Sequence, residues 1–150
     1  RNNASAGPRS HANPLITGIR ESGNAAFEMA GVSRGDVDFL GLYDDYVPII
    51  MLQIEDLGFC GKNDRVFFEN TDFTFKGDLP IQTGGGMINC GQPSTTGGML
   101  HVIEAVRQLR GDGGARQVPD ARIGLVTGLG AVNYGRNFGC TAAAILGKTT

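Results

Sequence analysis

The pattern of apolar residues along this 150-residue chain predicts an α/β fold, with helices layered on a sheet. Segments with apolar residues at helical spacing alternate with short uninterrupted apolar runs, which are typical of buried strands. Two β-branched or alanine-rich runs end the chain, close enough together to form an antiparallel hairpin at one edge of the sheet. Together these observations indicate a layered α/β domain.

Proline and glycine mark the first two predicted helices. Asn13-Pro14 is an N-cap followed by proline at the first helical position, and Gly31 ends that run as a C-terminal glycine. Pro48 opens a second apolar periodic stretch, which stops at Gly58. We therefore expect one helix between each pair of markers.

The third predicted helix runs from the glycine-rich segment to about Leu109. Its predicted buried stripe consists of Leu100, Ile103, Val106 and Leu109. His101 faces away from that stripe or lies at its margin, and His11 lies in the irregular start of the chain. Neither histidine has a second ligand four residues further on, so we expect no metal site.

Three apolar runs predict the strands. Residues Val37 to Tyr43 form a short run between two helices, as expected of a buried strand. The runs Ile123 to Gly128 and Thr141 to Leu146 form the predicted hairpin. Between the second and third helices, the phenylalanines of Asn63 to Pro80 sit among charges, which suggests extended or hairpin structure covering an edge of the core.

Composition excludes several classes of partner. Thirteen Lys plus Arg against fifteen Asp plus Glu give a net charge of −2, which removes the usual electrostatic argument for nucleic acid or an anionic membrane. No apolar run approaches the ~18–20 residues of a membrane span, and no secretory segment opens the chain. Three widely spaced cysteines (Cys60, Cys90 and Cys140) indicate reduced thiols in a cytoplasmic protein, without a disulfide framework.

Glycine is unusually frequent, at 24 of 150 residues, and it concentrates in loops that also carry hydrogen-bonding side chains. The three loops are Tyr43–Tyr46, Gly91–Pro93 and Asn133–Arg136. In an open α/β sheet, loops at the strand ends meet in one crevice where ligands bind. The structural alternative is that the glycines only permit tight turns and that the tyrosines and asparagines cap the surface. No Gly-Lys-Ser/Thr follows, so the glycine-rich stretch is not a phosphate loop.

Three motifs in order resemble the C-terminal half of a thiolase-superfamily protein. Tyr43-Asp44-Asp45-Tyr46 occupies the place of the family's Asn-Glu-Ala-Phe or His-Asp-Cys-Phe box. Gly84-Gly85 precedes Gly91-Gln92-Pro93, where the family has Gly-His-Pro, and Asn133-Tyr134-Gly135 stands in the loop before the last strand. The resemblance is to bacterial acetyl-CoA acetyltransferase-like and lipid-transfer-protein thiolases, which are related to sterol carrier protein thiolases.

The resemblance implies that residues 14–150 form a thiolase C-terminal domain with a five-stranded mixed sheet covered by helices. Residues 1–13 would be a linker or the torn edge of a longer chain. The family's nucleophilic cysteine belongs to the N-terminal half. We interpret Cys90 and Cys140 as buried structural thiols that do not replace it.

Two departures from the family pattern change the expected chemistry. Gln92 stands where the family has the histidine that activates the nucleophile, and an amide can hydrogen-bond in an oxyanion hole but cannot act as a base. Asn133 stands where the family has a proton-shuttling cysteine. The remaining candidates for proton transfer are Tyr43, Tyr46, Tyr134, Asp44 and Asp45. A tyrosine near its ordinary pKa of ~10 needs a cation or hydrogen bonds to work as a base at neutral pH, and Arg136 is such a cation for Tyr134.

The resemblance therefore implies a thiolase-like acyltransferase that forms or breaks carbon–carbon bonds by a Claisen or retro-Claisen step. Coenzyme A would enter as a substrate, and this half would bind no cofactor of its own. The predicted catalytic residues are Tyr43, Gln92, Asn133 and Tyr134. The predicted substrate-binding residues are Asp44, Tyr46, Gly85, Gly91 and Gly135.

Two alternatives stay open from the sequence. One is a retro-aldol lyase acting on a β-hydroxyacyl-CoA, which needs an acid and a base but no acyl-cysteine. The other is a non-catalytic homologue that binds acyl-CoA or lipid. The expected partners are the N-terminal thiolase half, further copies of the protein and a small zinc-ribbon/OB-fold protein. An isolated C-terminal half should expose the apolar surface that normally meets the first half.

Overall fold

A computed structural model describes residues 15–93, 96–132 and 138–148. The helices are α1 (Ile19–Ala30), α2 (Val47–Leu57), α3 (Arg65–Asn70), α4 (Gly86–Cys90) and α5 (Gly98–Arg110), and the strands are β1 (Phe39–Gly41), β2 (Ile123–Val132) and β3 (Phe138–Gly147). Short 3₁₀ turns lie at Arg34–Asp36 and Gly114–Arg116. None of these described helices is long and apolar enough to span a membrane.

The strands form a mixed sheet in the order β1-β2-β3. β1 runs parallel to β2, with Phe39 opposite Gly124. β2 and β3 form the predicted antiparallel hairpin, with Ile123 opposite Gly147. The α/β class and the mixed sheet predicted from the sequence are therefore confirmed.

The predicted strand number is not confirmed, because the described residues contain three strands instead of five. Ile81 forms only an isolated parallel bridge with Leu40. It does not extend into a strand because Pro80 has no N–H to donate, and because Gln82 has a φ of +50° that ends the extended backbone. The five-stranded expectation came from the family resemblance, whereas the apolar runs themselves numbered three.

The segment from Asn63 to Pro80 also differs from the extended structure predicted for it. It begins with helix α3, whose N-cap Asp64 accepts a hydrogen bond from the Phe67 N–H at 3.0 Å. Phe67, Phe68 and Phe73 then make mutual ring contacts and pack against the edge of the core. The aromatic residues cover the core edge as expected, but most of them do so from a helix.

Helices cover both faces of the sheet. One core cluster joins α1 and α2 to the face that carries Leu40 and Leu125. A second cluster joins α5 to Phe39 and Val126. Because successive strand residues point to opposite faces, the two clusters lie on opposite sides of the sheet. The carboxyl end of β1 therefore emerges between two helical layers.

Helix ends follow the predicted markers more closely than helix starts. Gly31 and Gly58 end α1 and α2 in the left-handed conformation, with φ of +65° and +84°. Pro48 lies in the first turn of α2, as predicted. The described part of α1 begins at Ile19, several residues after the predicted start at Asn13-Pro14, which lies outside the described residues.

The predicted buried stripe of α5 is confirmed at Leu109 and wrong at Ile103 and Val106. The residues that α5 buries are His101, Glu104, Ala105, Gln108 and Leu109. Ile103 and Val106, which we expected in the core, are 46% and 40% exposed. The helix is rotated so that polar side chains with internal hydrogen-bond partners face the sheet.

Candidate active site

The corner between β1 and α2 brings together residues that are distant in sequence. Tyr43 follows β1, and its hydroxyl donates a hydrogen bond to Asp45 Oδ2 at 2.6 Å. The Gln92 Nε2 amide donates a hydrogen bond to the same Tyr43 hydroxyl at 3.1 Å. The two predicted catalytic residues Tyr43 and Gln92 are thus in direct contact. Tyr46, a predicted substrate-binding residue, is exposed at the N-cap of α2 in the same corner.

The Tyr43 hydroxyl is a proton donor at neutral pH. Burial, and then the hydrogen bond to the Asp45 carboxylate, raise the pKa of Tyr43 to about 12, although the hydrogen bond from Gln92 lowers it. A tyrosine that acts as a base near neutrality would need the opposite shift. Tyr43 therefore suits the roles of hydrogen-bond donor and acid.

Asp44 lies inside the protein, unlike its neighbours. Its Oδ1 accepts hydrogen bonds from the Met87 N–H at 2.9 Å and from His101 Nε2 at 3.0 Å, and its Oδ2 accepts one from the Ile88 N–H at 3.2 Å. Burial raises the pKa of Asp44, but the combined hydrogen bonds hold this pKa below its ordinary value. Internal donors contact both carboxylate oxygens of Asp44, and its predicted contact with substrate stays a prediction.

His101 is the supporting residue that the sequence analysis missed. It is only 4% exposed, and it reaches Asp44 across 57 positions of sequence. Because Asp44 is ionised and can only accept, the His101 Nε2–H donates this hydrogen bond. Gly41 in β1 makes room for the ring, since a Cβ at that position would lie 3.0 Å from His101 Cβ. Apolar periodicity carries no signal of such a pair.

Three glycines at the ends of α4, on the side of the corner that approaches Asp44, have positive φ angles. Gly85 and Gly91 flank α4 with φ of +93° and +96°, which other residues rarely adopt. Gly86 also has a positive φ, of +65°, and a Cβ there would overlap Asp44 Oδ2. Gly86 was not among the predicted site residues, although the close approach of Asp44 requires a glycine there.

The last predicted loop falls outside the described residues. It contains Asn133, Tyr134, Gly135 and Arg136. The predicted convergence of Tyr134 with Tyr43 and Gln92 therefore stays a prediction.

The interpretation of Cys90 and Cys140 as buried thiols is wrong. Cys90 and Cys140 are exposed, and Cys60 is half-buried. Cys90 ends the short helix α4 and donates from Sγ to the Gly84 carbonyl at 3.2 Å. Cys140 lies on β3, which is an edge strand of the three-stranded sheet. Within the described residues, no cluster of three or more His, Cys, Asp or Glu side chains could hold a metal ion.

This α/β architecture agrees with the family that the sequence comparison identifies. The family model described as "Thiolase C-terminal domain-like" matches residues 5–147. The chain belongs to this thiolase C-terminal family.

The relatives include two differently named enzymes as well as sterol carrier protein 2 of Homo sapiens, which is 32% identical over 74% of this chain and 20% of that protein. The acetyl-CoA acetyltransferase of Methanothermobacter thermautotrophicus is 38% identical over 120 residues, which are 77% of this chain and 31% of that protein. The 17-hydroxy-3-oxo-4-pregnene-20-carboxyl-CoA lyase of Mycobacterium tuberculosis is 35% identical, over 68% of this chain and 27% of the relative. Among solved structures, the Ltp2-ChsH2(DUF35) aldolase matches with a TM-score of 0.71 and 28% identity, over 87% of this chain and 31% of that chain. The chain thus spans about a third or less of the length of these relatives.

Proposed function

We propose that this domain belongs to an enzyme that cleaves a carbon–carbon bond of a β-hydroxyacyl-CoA by retro-aldol chemistry. The observation that carries the proposal is the Tyr43 hydroxyl, held between the Asp45 carboxylate at 2.6 Å and the Gln92 amide at 3.1 Å. A retro-aldol step needs a proton acceptor, a proton donor and a group that stabilises an enolate. This corner contains one side chain suited to each task.

Side chains of that corner accept and donate every proton of the proposed step. Asp45 accepts the proton of the substrate β-hydroxyl, the Cα–Cβ bond breaks, and the β-carbon leaves as an aldehyde or ketone. The electron pair forms an enolate of the CoA thioester, whose oxygen accepts a hydrogen bond from the Gln92 amide. Tyr43 donates its proton to Cα, and protonated Asp45 then returns a proton to Tyr43 across their 2.6 Å contact.

The surroundings of the corner favour this step over activation of a cysteine. Among the described residues, His101 is the one histidine, and it is buried with its Nε2–H directed at Asp44. Gln92 occupies the exposed position that faces the tyrosine, and an amide cannot take a proton from a thiol. Among the described residues, the corner therefore offers acid–base groups to a hydroxyl substrate and no histidine to activate a nucleophilic cysteine.

Two of the comparisons support the same class. One relative is named as a lyase of a carboxyl-CoA compound, and the matching solved structure is titled an aldolase. That title also pairs an Ltp2 component with a ChsH2(DUF35) component, which supports our proposal that this protein works with a second protein. Coenzyme A as part of the substrate, assembly of several copies and a cytoplasmic location are further proposals.

A thiolase-like acyltransferase is the second candidate. It is favoured by the 38% identity with an acetyl-CoA acetyltransferase. In that reaction the Gln92 amide would stabilise a thioester oxyanion, while the rest of the full-length protein would supply the nucleophile and its base. The two candidates differ in whether an acyl group becomes attached to the protein.

The deciding experiment incubates the full-length protein with a β-hydroxyacyl-CoA and follows both carbonyl release and intact protein mass. We expect an aldehyde or ketone together with a shortened acyl-CoA, and no acyl adduct. Tyr43→Phe should lower the release rate by ~10²–10⁴-fold, the usual contribution of a positioned acid or base. Asp45→Asn should also lower it strongly, whereas Asp112→Asn, at another exposed carboxylate, should not.

Three other outcomes would contradict either the retro-aldol reaction or the role of Tyr43 in it. An acyl adduct without carbonyl release supports the acyltransferase. Binding of acyl-CoA with neither adduct nor release supports a non-catalytic binding protein. Carbonyl release that survives Tyr43→Phe unchanged would leave the activity but remove Tyr43 from its mechanism.

A further inference from the structure

Helix α2 buries a glutamine in the middle of an apolar face. Gln53 is 0% exposed, and its neighbours on the buried face include Ile49, Ile54 and Leu57. A primary amide without hydrogen-bond partners is costly to bury in such surroundings. The surroundings of Gln53 therefore have to supply hydrogen-bond partners for both its Nε2 and its Oε1.

Those partners lead directly to Tyr43. The Gln53 Nε2 donates to the main-chain carbonyl of Tyr43 at 2.7 Å and to that of Ile49 at 2.9 Å. Its Oε1 accepts a hydrogen bond from the Thr127 hydroxyl at 2.6 Å. One amide thus joins α2, the end of β1 and the middle of β2.

Thr127 closes the arrangement into a ring. Its Oγ1 accepts a hydrogen bond from the Tyr43 N–H at 3.0 Å. Gln53 holds the carbonyl of Tyr43, Thr127 holds its N–H, and the two side chains are bonded to each other. Both main-chain polar groups of the residue that carries the site hydroxyl are therefore fixed by buried side chains.

The ring lies where ordinary strand pairing stops. The register of β1 with β2 ends at Gly41 opposite Val126, and Leu42 and Tyr43 follow directly. The Gln82 side-chain amide accepts from the Leu42 N–H and donates to the Leu42 carbonyl, both at 2.8 Å. The side chains of Gln53, Gln82 and Thr127 thus bind the main chain of the two residues that follow β1.

A second buried glutamine, Gln108, has hydrogen bonds that do not involve the candidate site. Gln108 is 1% exposed; it donates to Glu104 and to the Arg116 carbonyl and accepts from the Val118 N–H. These contacts tie α5 to the segment after it, and none of them reaches Tyr43, Asp45 or Gln92. The Gln53 ring differs because it closes on the site residue itself.

We propose that Gln53 and Thr127 are positioning residues that hold the main chain of Tyr43, so that its hydroxyl reaches both Asp45 and Gln92. This inference rests on the proposed function, because it assigns Tyr43 as the group being positioned. A displacement of about 1 Å at a reacting group can lower a rate by ~10²-fold. The side chains act through the backbone and touch no substrate, so they should affect kcat and leave KM nearly unchanged.

The test uses the full-length protein labelled with ¹³C at the tyrosine ζ carbon, with Tyr43→Phe assigning the Tyr43 signal. Gln53→Met removes all three hydrogen bonds of the amide, and the near-isosteric Thr127→Val removes only the hydroxyl. Both should shift the Tyr43 signal and lower kcat for carbonyl release by ~10–100-fold. Thr127→Ser keeps the hydroxyl and should restore both readouts, and Gln108→Met, the matched buried-glutamine control, should leave the Tyr43 signal in place.

A double-mutant cycle separates positioning from general loss of structure. In a Tyr43→Phe background, Gln53→Met should give little further loss of kcat, because the group it positions is already gone. An unmoved Tyr43 signal in both Gln53→Met and Thr127→Val, or an equal shift in Gln108→Met, would overturn the proposal. If Tyr43→Phe retains full activity, the proposed catalytic role of Tyr43 fails instead, and if the protein releases no carbonyl product the proposed function fails; in both cases the labelled-tyrosine signal still decides whether Gln53 and Thr127 set the position of Tyr43.

Discussion

Helices α2 and α5 cover opposite faces of one sheet, but they bury opposite kinds of side chain. α2 places isoleucine and leucine against the sheet and admits one buried amide, Gln53. α5 buries His101, Glu104 and Gln108 beside only two apolar residues. Its larger apolar side chains point outward instead, with Met99 at 53% exposure and Ile103 and Val106 also exposed.

The difference teaches that the two helices do different work for the site. α2 supplies most of the apolar packing together with the Gln53 hydrogen bond to the Tyr43 carbonyl. α5 supplies hydrogen bonds to Asp44 and Thr83 in the neighbouring loops. His101 holds Asp44 at 3.0 Å, Glu104 accepts from the Thr83 hydroxyl at 3.0 Å, and Gln108 supports Glu104 from the next turn at 2.9 Å. The exposed apolar side of α5 is then the surface that we expect the rest of the full-length protein to cover.

The largest expected effect comes from comparing one isoleucine from each helix, buried in α2 and exposed in α5. Ile54→Ala in α2 removes a side chain that is 1% exposed and should lower the free energy of unfolding by about 2–5 kcal/mol. Ile103→Ala in α5 should change it by no more than about 0.5 kcal/mol, because that side chain is half in solvent. Urea denaturation of the isolated 150-residue chain measures both. Equal losses would show that α5 packs its apolar stripe as tightly as α2.

A smaller effect is expected from the polar support that α5 gives to Asp44. The hydrogen bonds hold the pKa of the folded-state carboxyl below its ordinary value of 3.8. The ionised group therefore stabilises the fold above that ordinary value, and this stabilisation is lost as the pH falls through the lowered folded-state pKa.

Asp44→Asn should consequently lower the free energy of unfolding at pH 7 by about 1–3 kcal/mol, the usual result of leaving buried donors poorly paired. The deficit should shrink as the pH falls below about 4. Urea titrations between pH 7 and the acid limit of the fold measure it for both proteins. Two parallel stability curves would show that the carboxylate of Asp44 contributes nothing that depends on its charge.

The same contrast explains how much the sequence could predict. The boundaries of α2 and the pairing of β2 with β3 were predicted because apolar periodicity and β-branched runs report burial within a single chain. The predicted runs stop four residues short of the end of β2 and three residues after the start of β3. The buried stripe of α5 was predicted wrongly at Ile103 and Val106, because periodicity cannot distinguish a face that packs on its own sheet from one that another surface covers. α3 was missed because the phenylalanines around it resemble a strand pattern among charges.

Some contacts of the candidate site could be predicted from the sequence, and others could not. The contact of Tyr43 with Gln92 follows from a general rule, since loops at the carboxyl ends of strands meet, and the motif order placed both residues there. The pair of His101 with Asp44 depends on the rotation of α5 about its axis, which no local pattern records. The need for Gly86 likewise depends on where the Asp44 carboxylate comes to rest.

The smallest expected effect concerns the outer side of α5. The chain expressed alone should associate as its concentration rises, because an exposed apolar stripe favours contact with another surface. Light scattering should show that the double variant Ile103→Lys/Val106→Lys shifts the chain towards its 15.8 kDa monomer. Met29→Lys/Val66→Lys changes two still more exposed apolar residues, on α1 and α3, and should not shift it. A clean monomer of the unaltered chain at high concentration would mean that exposure of this stripe does not drive association, and the outer side of α5 would then need no covering surface.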